Sequence, residues 1–454
     1  MIILKFGGTS VGSVQRIKNI AELINDKRKK IVVLSAMSGT TNELEKIACL
    51  IKENDILLAK ESISKLANKY KGIINQLLNK KEYTIKATLY FKRIFELLYS
   101  LCENWSCTRE KLILSQGEFM STYLLFLYMS ENNMKPVLIS AFEFMRTDKD
   151  AEPDYFYIKE NLERKLEGLK AYNTILTQGF ICRDVNGEIS NLKRGGSDYT
   201  AALLGAATNA EEIQIWTDID GIHNNDPRYI KNTLPINYIS FDEAAELAYF
   251  GAKILHPSSI LPAKKLGIPV RLKNSLNPKD LGTLIMDKES IAKLEKESDP
   301  EGKHNREVIA IAAKDNITAI KICSTNMLLA YGFLSKVFEI FSKWKTPIDM
   351  ITTSEVEISL TVDCTLNLKS IRNELEEFCS TKIDEDMCII CIVGNFGFKK
   401  TGIVSRTLDQ LKNIPIRMIS YGGNEHNLSL LVNQKDKKNV LEQVNELLIY
   451  PNNI

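Results

Sequence analysis

Apolar and polar positions follow two different periods along the chain. Short apolar runs read as strands: MIIL at the N-terminus, KIVVLSAM (30–37), PVLISAF (136–142), TILTQGFI (174–181), IQIWTDIDGI (213–222) and IPVRLKN (268–274). Between them the apolar residues recur at helical spacing, over 14–25, 157–170, 198–209 and 241–251. Strands alternating with helices predict an α/β domain with a mostly parallel sheet covered on both faces. The stretch 43–132 is different, amphipathic and nearly strandless, and reads as a helical elaboration of that core.

Around 287–307 apolar residues thin out and charges crowd together, which marks a surface connection between domains. Beyond it the pattern repeats. VIAIAAKDNITAIKICS, a helix FLSKVFEIFSKWK, the strands of DMITTSEVEISLTVD and a helix over 367–380 form one half. CIICIVGNF, a helix over 402–412, IPIRMISYGG, NLSLLVN and a helix over 434–448 form the other. Each half reads as a ferredoxin-like β-α-β-β-α-β unit, and such a pair behind an enzyme core suggests regulation.

Bulk properties narrow the class. A chain of 454 residues exceeds one ordinary core, so two or three domains are expected. A net charge of +2 with 26% charged residues gives no basic face for nucleic acid and no acidic tail. The longest apolar run, LILSQGEFMSTYLLFLYM, is broken by a glutamate and polar groups, which argues against a membrane span. The N-terminus enters a strand directly, without the features of a signal peptide, so a cytoplasmic location is expected. Nine scattered cysteines fit reduced thiols better than a disulfide framework, and four scattered histidines offer no metal-ligand spacing. Cys388 and Cys391 form a C-x-x-C, but inside an apolar run, where two structural thiols on a strand are favoured over a redox or zinc pair.

Four loops at strand ends carry the candidate chemistry, because a parallel sheet binds ligands beyond its strand C-termini. In KFGGTSVGS, Lys5 stands where a strand gives way to a Gly-rich loop and a helix, a bare backbone with one fixed positive charge that suits phosphate. SAMSGTTN, Ser35 to Asn42, is rich in hydroxyls and ends at a helix start. LKRGGSDYTAALLGAA places Arg194 and two glycines ahead of Ser197 and Asp198 at the start of another helix. A carboxylate beside an anion site is out of place unless it orients a cation. The other reading makes Asp198 a plain helix cap, worth about 1 kcal/mol. WTDIDGIHNNDPR supplies Thr217, Asp218 and an Asp-Pro-Arg turn, and the helix after it leads to FGAKILHP with Lys253. Two lysines, Lys5 and Lys253, flanking a phosphoryl group would do the main work of phosphoryl transfer, which is charge stabilisation and alignment. Neither the Walker A pattern nor the protein-kinase signatures occur.

These motifs, with LSQGEFMST and IDMITTSEVEISL, occur in the order and spacing of aspartokinases, and the chain resembles that family over essentially its whole length. The resemblance implies an amino acid kinase fold over 1–290, a linker over 291–307 and tandem ACT domains over 308–454. The first ACT domain would span about 320–385, and the second about 308–319 with 386–454. Ending at 454, the chain resembles the single-function form and not the form fused to homoserine dehydrogenase. The implied reaction is ATP plus L-aspartate giving 4-phospho-L-aspartate and ADP, with Mg²⁺ accompanying ATP, at the first step of lysine, threonine and methionine biosynthesis.

By the same resemblance, Lys5 neutralises the transferring phosphoryl and Asp198 holds Lys5 in place. Ser35, Thr41, Glu118, Phe180, Arg194 and Ser197 match the aspartate site; Glu118 accepts from the substrate ammonium unless it is merely a solvated helical glutamate. Lys5, Phe6, Gly7, Gly8, Thr217, Asp218, His223, Arg228, Lys253 and Ile254 match the nucleotide side, where His223 replaces the family's usual aromatic. Met327, Gly332, Phe333, Leu334, Ile348, Asp349, Ser354 and Glu355 match the effector site of the lysine-inhibited class. Leu329 and Ala330 stand where that class commonly has a histidine and a serine, which puts the effector's identity in question. A homodimer through the ACT domains is implied. Two alternatives stay open here: another amino acid kinase, and a catalytically silent amino-acid sensor.

Overall fold

A computed structural model describes residues 1–103, 105–192, 195–251, 255–298, 308–323, 331–397 and 401–449. The first part of the chain runs β1 (Ile2–Phe6), α1 (Val14–Leu23), β2 (Lys30–Leu34), α2 (Thr40–Lys52), α3 (Ile56–Leu77), α4 (Lys81–Ser100) and α5 (Cys107–Glu131). It continues through β3 (Val137–Leu138), α6 (Tyr155–Glu167), β4 (Thr174–Gln178), β5 (Ile181–Arg183), β6 (Ile189–Asn191), α7 (Gly196–Thr208) and β7 (Glu212–Thr217). Then follow β8 (Tyr238–Ser240), α8 (Phe241–Tyr249), α9 (Leu261–Leu266), β9 (Val270–Asn274), β10 (Thr283–Met286) and α10 (Lys288–Ser298). Eight of these strands form one sheet in the order β3-β4-β2-β1-β7-β9-β10-β8. From β3 to β9 every neighbour is parallel, and β10 turns antiparallel to β9. The two neighbours of β1, β2 and β7, lie far apart in sequence, and the chain winds outward on both sides of it, so β1 sits where the winding reverses.

The expected strand-helix alternation is present, with trimmed edges. The run at 136–142 keeps only two strand residues before a 3-10 turn. Residues 288–298, read as part of a solvated connection, form the helix α10, and 299–307 lie outside the described residues.

Alternation along β1 assigns the two faces of the sheet. Ile2, Leu4 and Phe6 join a core with Ile17, Ile20, Leu44, Tyr70, Phe91 and Leu124, so α1 to α5 cover that face. The strandless stretch is therefore this helical layer. Ile3 and Lys5 point the other way, toward α7. Gly205 of α7 packs so close to the sheet that a Cβ there would lie 2.4 Å from Ile213 Cδ1. Asp198, seven residues earlier on the same helical face, is carried two turns toward the end of β1, where Lys5 stands.

The second compact unit comprises His223–Ile236, Asp242–Ile254 and Ala292–Ile454. It contains β11 (Val308–Cys323), α11 (Phe333–Lys343), β12 (Ile351–Thr353), β13 (Glu357–Val362), α12 (Leu368–Glu376) and β14 (Ser380–Gly394). It ends with α13 (Ile403–Gln410), β15 (Ile416–Tyr421), β16 (Asn427–Asn433) and α14 (Lys437–Ile449). Its six-stranded sheet runs β12-β13-β11-β14-β16-β15. The two long strands β11 and β14 pair antiparallel throughout, and each serves both halves. The C-terminal part of β11 opens the first ferredoxin-like half and its N-terminal part closes the second, while β14 does the reverse. The register slips between Lys314 and Ala319, where Asn316 on β11 and Asp386 on β14 adopt φ of 58° and 55°. Such left-handed residues at a bulge let one strand bend from one core into the next. Separate cores follow: Ile320, Val337, Phe341, Ile358 and Leu375 in the first half, and Ile311, Ile390, Leu430, Val440 and Val444 in the second.

Two segments that precede β9 in the sequence are built into this unit. Ile230 joins the second half's core, and Asn225 Nδ2 donates at 3.1 Å to Leu441 O and to Asn445 Oδ1. On α8, Glu246 accepts from Asn424 and Asn427, and Tyr249 donates to Asp349. Cys388 and Cys391 are both buried on β14, and burial pushes both thiols up. They are structural thiols, as the apolar run around them implies.

Candidate active site

The site forms at the C-terminal ends of β1, β2 and β4 and at the start of α7. Lys5 Nζ lies 2.7 Å from Asp198 Oδ1, with both side chains largely enclosed at 12% and 14% exposure. The contact is an ion pair and not a directed hydrogen bond, because Oδ1 has no partner aligned with it. The alternative of a plain cap fails: α7 begins at Gly196 after Gly195 in the left-handed conformation (φ 77°), without a side-chain cap. Asp198 sits inside the first turn and faces Lys5.

A cavity of about 310 Å³ opens beside this pair. Lys5, Gly8, Ser35, Thr41, Glu118, Phe180, Ser197 and Asp198 line it, so the structure gathers most of the residues expected for the acceptor side. Met37, Ser38, Gly39 and Asn42 also line it, residues that the sequence marked only as part of a hydroxyl-rich loop. Gly39 (φ 78°) precedes α2, again without a side-chain cap. By contrast, α1, α3, α5 and α6 are capped by Ser13, Asp55, Ser106 and Asp154. The N-termini of α2 and α7, both without a side-chain cap, border the same cavity, and their free N–H groups favour an anion there. Gly8, Thr9 and Ser10 add backbone amides that donate to no acceptor among the described residues.

Glu118 is buried on α5 at 4% exposure, which removes the reading of a solvated helical glutamate. Gly117 allows this, since a Cβ there would lie 2.7 Å from Ala36 Cβ and hold the helix off the loop. Ala36 N–H donates to Glu118 Oε1 at 3.2 Å, while Oε2 is buried without a partner. Burial outweighs that single bond and pushes the carboxyl up to about 8. Against ionisation this is on the order of 5 kcal/mol. Phe180 carries strain of its own. Its φ is 66°, unusual for an aromatic, and it is held by Thr200 Oγ1 on its N–H at 3.0 Å and Leu192 N–H on its carbonyl at 2.7 Å.

The expected nucleotide-side positions are less uniform. Phe6 is fully enclosed, stacked on Trp216 at 5.7 Å, and its carbonyl accepts from Ser35, so its ring is core and not binding surface. Gly7 N–H is taken by Trp216 O at 3.1 Å, so Gly7 does not present its amide to a ligand. Asp218 is exposed at the end of β7 and accepts from Thr217 Oγ1. In the second unit, His223 Nδ1 pairs with Thr233 Oγ1 at 2.8 Å, and Arg228 forks onto Asp226. Arg194, Lys253 and Ile254 lie outside the described residues.

The effector positions are partly visible. Asp349 Oδ1 receives Lys314 Nζ at 2.6 Å and Tyr249 OH at 3.0 Å, and Asp363 takes the same ammonium at 2.9 Å. Asp349 Oδ2 is buried with no partner, and desolvation pushes this carboxyl above its ordinary range despite the ammonium. Gly332 starts α11 in the left-handed conformation, Phe333 and Ile348 pack on the first half's core, and Leu334, Ser354 and Glu355 are exposed. Met327, Leu329 and Ala330 lie outside the described residues.

Residues 1–274 match the amino acid kinase family and residues 390–448 match an ACT domain, which with the fold and the cavity defines an amino acid kinase carrying ACT modules. The lysine-sensitive aspartokinase 3 of Escherichia coli is 33% identical over 464 residues, covering 99% of both chains. Aspartokinase 1 of Arabidopsis thaliana chloroplasts is 33% identical over 486 residues, covering 99% of this chain and 82% of its own. Crystal structures of E. coli aspartokinase III, one with lysine and aspartate and one with aspartate and ADP, share the fold at TM-scores of 0.81 and 32% identity. They cover 99% of this chain and 99% and 100% of their own. The chain belongs to the aspartokinase family, ATP-dependent kinases of aspartate.

The buried carboxyl yields a pH signature. Burial that pushes Glu118 up to about 8 opposes its ionisation across neutral pH. The same shift opposes folding: the unfolded carboxyl ionises above 4.5 and the folded one only near 8. Wild type therefore loses stability relative to Glu118→Gln as pH rises through that window, which thermal unfolding from pH 5 to 8 measures.

Proposed function

We propose that the Lys5–Asp198 cavity binds L-aspartate and that its β-carboxylate attacks the γ-phosphorus of MgATP, giving 4-phospho-L-aspartate and ADP. Mg²⁺ arrives with the nucleotide as part of the substrate. The observation that carries this reading is one cavity with a charge for each end of the acceptor: an ammonium and two uncapped helix N-termini at one side, and an unpartnered buried carboxyl oxygen at another. Glu118 accepts the substrate ammonium. Arg194 and Ser197 take its α-carboxylate. Lys5 spreads the charge that develops on the transferring oxygens, and Asp198 keeps that ammonium in line. Nothing covalent is asked of the protein, so positioning and electrostatics supply the rate. Thr217, Asp218, His223, Arg228 and Lys253 serve the nucleotide.

The catalytic domain is assigned to 1–290, the connection to 291–307 and the ACT pair to 308–454, with the two long strands exchanged between the ACT halves. Lysine is proposed as the effector, in a cytoplasmic homodimer at the head of the lysine branch. The support is Asp349: its buried Oδ2 lacks a partner, and the E. coli relative of similar length is lysine-sensitive and has been crystallised with lysine.

Two experiments test these assignments. Lys5→Ala and Asp198→Ala lower kcat for acyl-phosphate formation from aspartate by about 100- to 1000-fold while the circular dichroism spectrum stays that of wild type. Wild-type turnover in either variant removes the assigned roles. Adding lysine inhibits the wild-type enzyme, and Asp349→Ala raises the half-inhibitory concentration at least about tenfold without changing uninhibited kcat. Inhibition by threonine or methionine with indifference to lysine transfers the site to another effector.

A further inference from the structure

We infer that Ser275, just past the end of β9, is a positioning residue for phosphoryl transfer, acting through Ser10 and the end of β7; this rests on the aspartate kinase reading above. Ser10 belongs to the Gly-rich loop after β1, and its side chain is enclosed, at 1% exposure. Its hydroxyl lies 2.8 Å from Ser275 Oγ and 3.3 Å from Trp216 O. Ser275 Oγ in turn lies 2.8 Å from Thr217 O, and Ser275 N–H donates to the same carbonyl at 2.8 Å.

A hydroxyl has one proton, and these distances order the donors. Ser275 O–H points to Thr217 O, a carbonyl that can only accept, which leaves Ser275 Oγ to accept from Ser10 at the shorter of its two contacts. The result is a directed chain, Ser10 to Ser275 to Thr217 O. It joins three strand ends: the loop after β1, the last residue of β7 and the exit of β9. A purely apolar contact at this place would leave Thr217 O with one fewer donor and the enclosed Ser10 hydroxyl with only its longer contact to Trp216 O.

The functional consequence follows from what each end of the chain carries. The loop holds Gly8, Thr9 and Ser10, whose amides are unclaimed among the described residues. Thr217 and Asp218 are expected on the nucleotide side. Ser275 therefore sets the spacing between phosphate-facing amides and the nucleotide-facing end of β7, while touching no ligand itself. The acceptor cavity, lined by residues 35–39, 41, 42, 118, 180 and 195–198 together with Lys5 and Gly8, includes neither Ser10 nor Ser275. Loss of the brace is thus expected to fall on the nucleotide and on turnover, and to spare aspartate binding.

The test compares wild type, Ser275→Ala and Ser275→Thr in steady-state kinetics and in calorimetric titration with MgADP. Expected for Ser275→Ala is a loss of about 10- to 100-fold in kcat/KM for ATP, weaker MgADP binding and a KM for aspartate within about twofold of wild type. Ser275→Thr, which keeps the hydroxyl, recovers most of the loss. The inference is overturned by an alanine variant with unchanged MgADP affinity, by equal changes in both KM values, or by a threonine variant as impaired as alanine while equally folded. If wild type fails to phosphorylate aspartate, the function reading fails, yet the MgADP titration of the three proteins still decides the brace. Should Ser275→Ala not fold, Ser10→Ala interrupts the same chain from its other end and is read in the same way.

Discussion

The site depends on one electrostatic arrangement: an ammonium at the end of a buried central strand, held by a carboxylate that belongs to a helix on the adjoining face. An isolated charge at that depth is costly, and a surface pair would contribute little. Here the geometry of the layers brings the partners together. Lys5 alternates onto the face covered by α7, and the small residues of α7 let that helix lie close enough for Asp198 to meet it. The cap position before α7 is Gly195, which has no side chain to bond the first turn, so the helix's N–H groups stay open to the same cavity. α2 likewise begins after a glycine, Gly39, without a side-chain cap. The cavity therefore gains its anion preference from backbone and from one fixed cation, neither of which must reorganise during the reaction.

Glu118 is the counterpoint. Burial makes ionisation of this carboxyl costly, and Ala36 N–H answers only one of its oxygens. It is retained where an ammonium ligand would complete it. Function and stability are thus opposed at this residue, while at Lys5 and Asp198 they agree. Phe180, held with positive φ at the cavity wall, belongs to the same class of local strain stabilised by its surroundings.

Much of this was legible in the residues. The strand-to-glycine transition at Lys5, the helix after Gly196 and the strandless layer over 43–132 follow from periodicity and from turn chemistry. Asp198 was ambiguous because a cap and a charge partner look alike in sequence; only the position of the helix start separates them. The Ser10–Ser275 chain was invisible, since two serines 265 positions apart carry no signal until the sheet aligns their strands. The polar first part of β14 escaped notice because it alternates weakly and lies half-exposed. The boundary between the two units was equally hidden. Residues 223–236 and 242–254 read as part of the kinase half, yet Ile230, Asn225 and Tyr249 join the ACT unit.

That interleaving gives regulation a physical route inside the second unit. α8 is tied to one ACT half by Tyr249 and to the other by Glu246, and the Tyr249 tie ends on Asp349, the carboxylate assigned to the effector. The central claim, however, concerns the chemistry at Lys5. It is tested most directly by trapping the product with hydroxylamine and identifying it by mass spectrometry. The account predicts β-aspartyl hydroxamate, formed only when MgATP and L-aspartate are both present. Absence of any hydroxamate, or formation of the α-isomer, would contradict it.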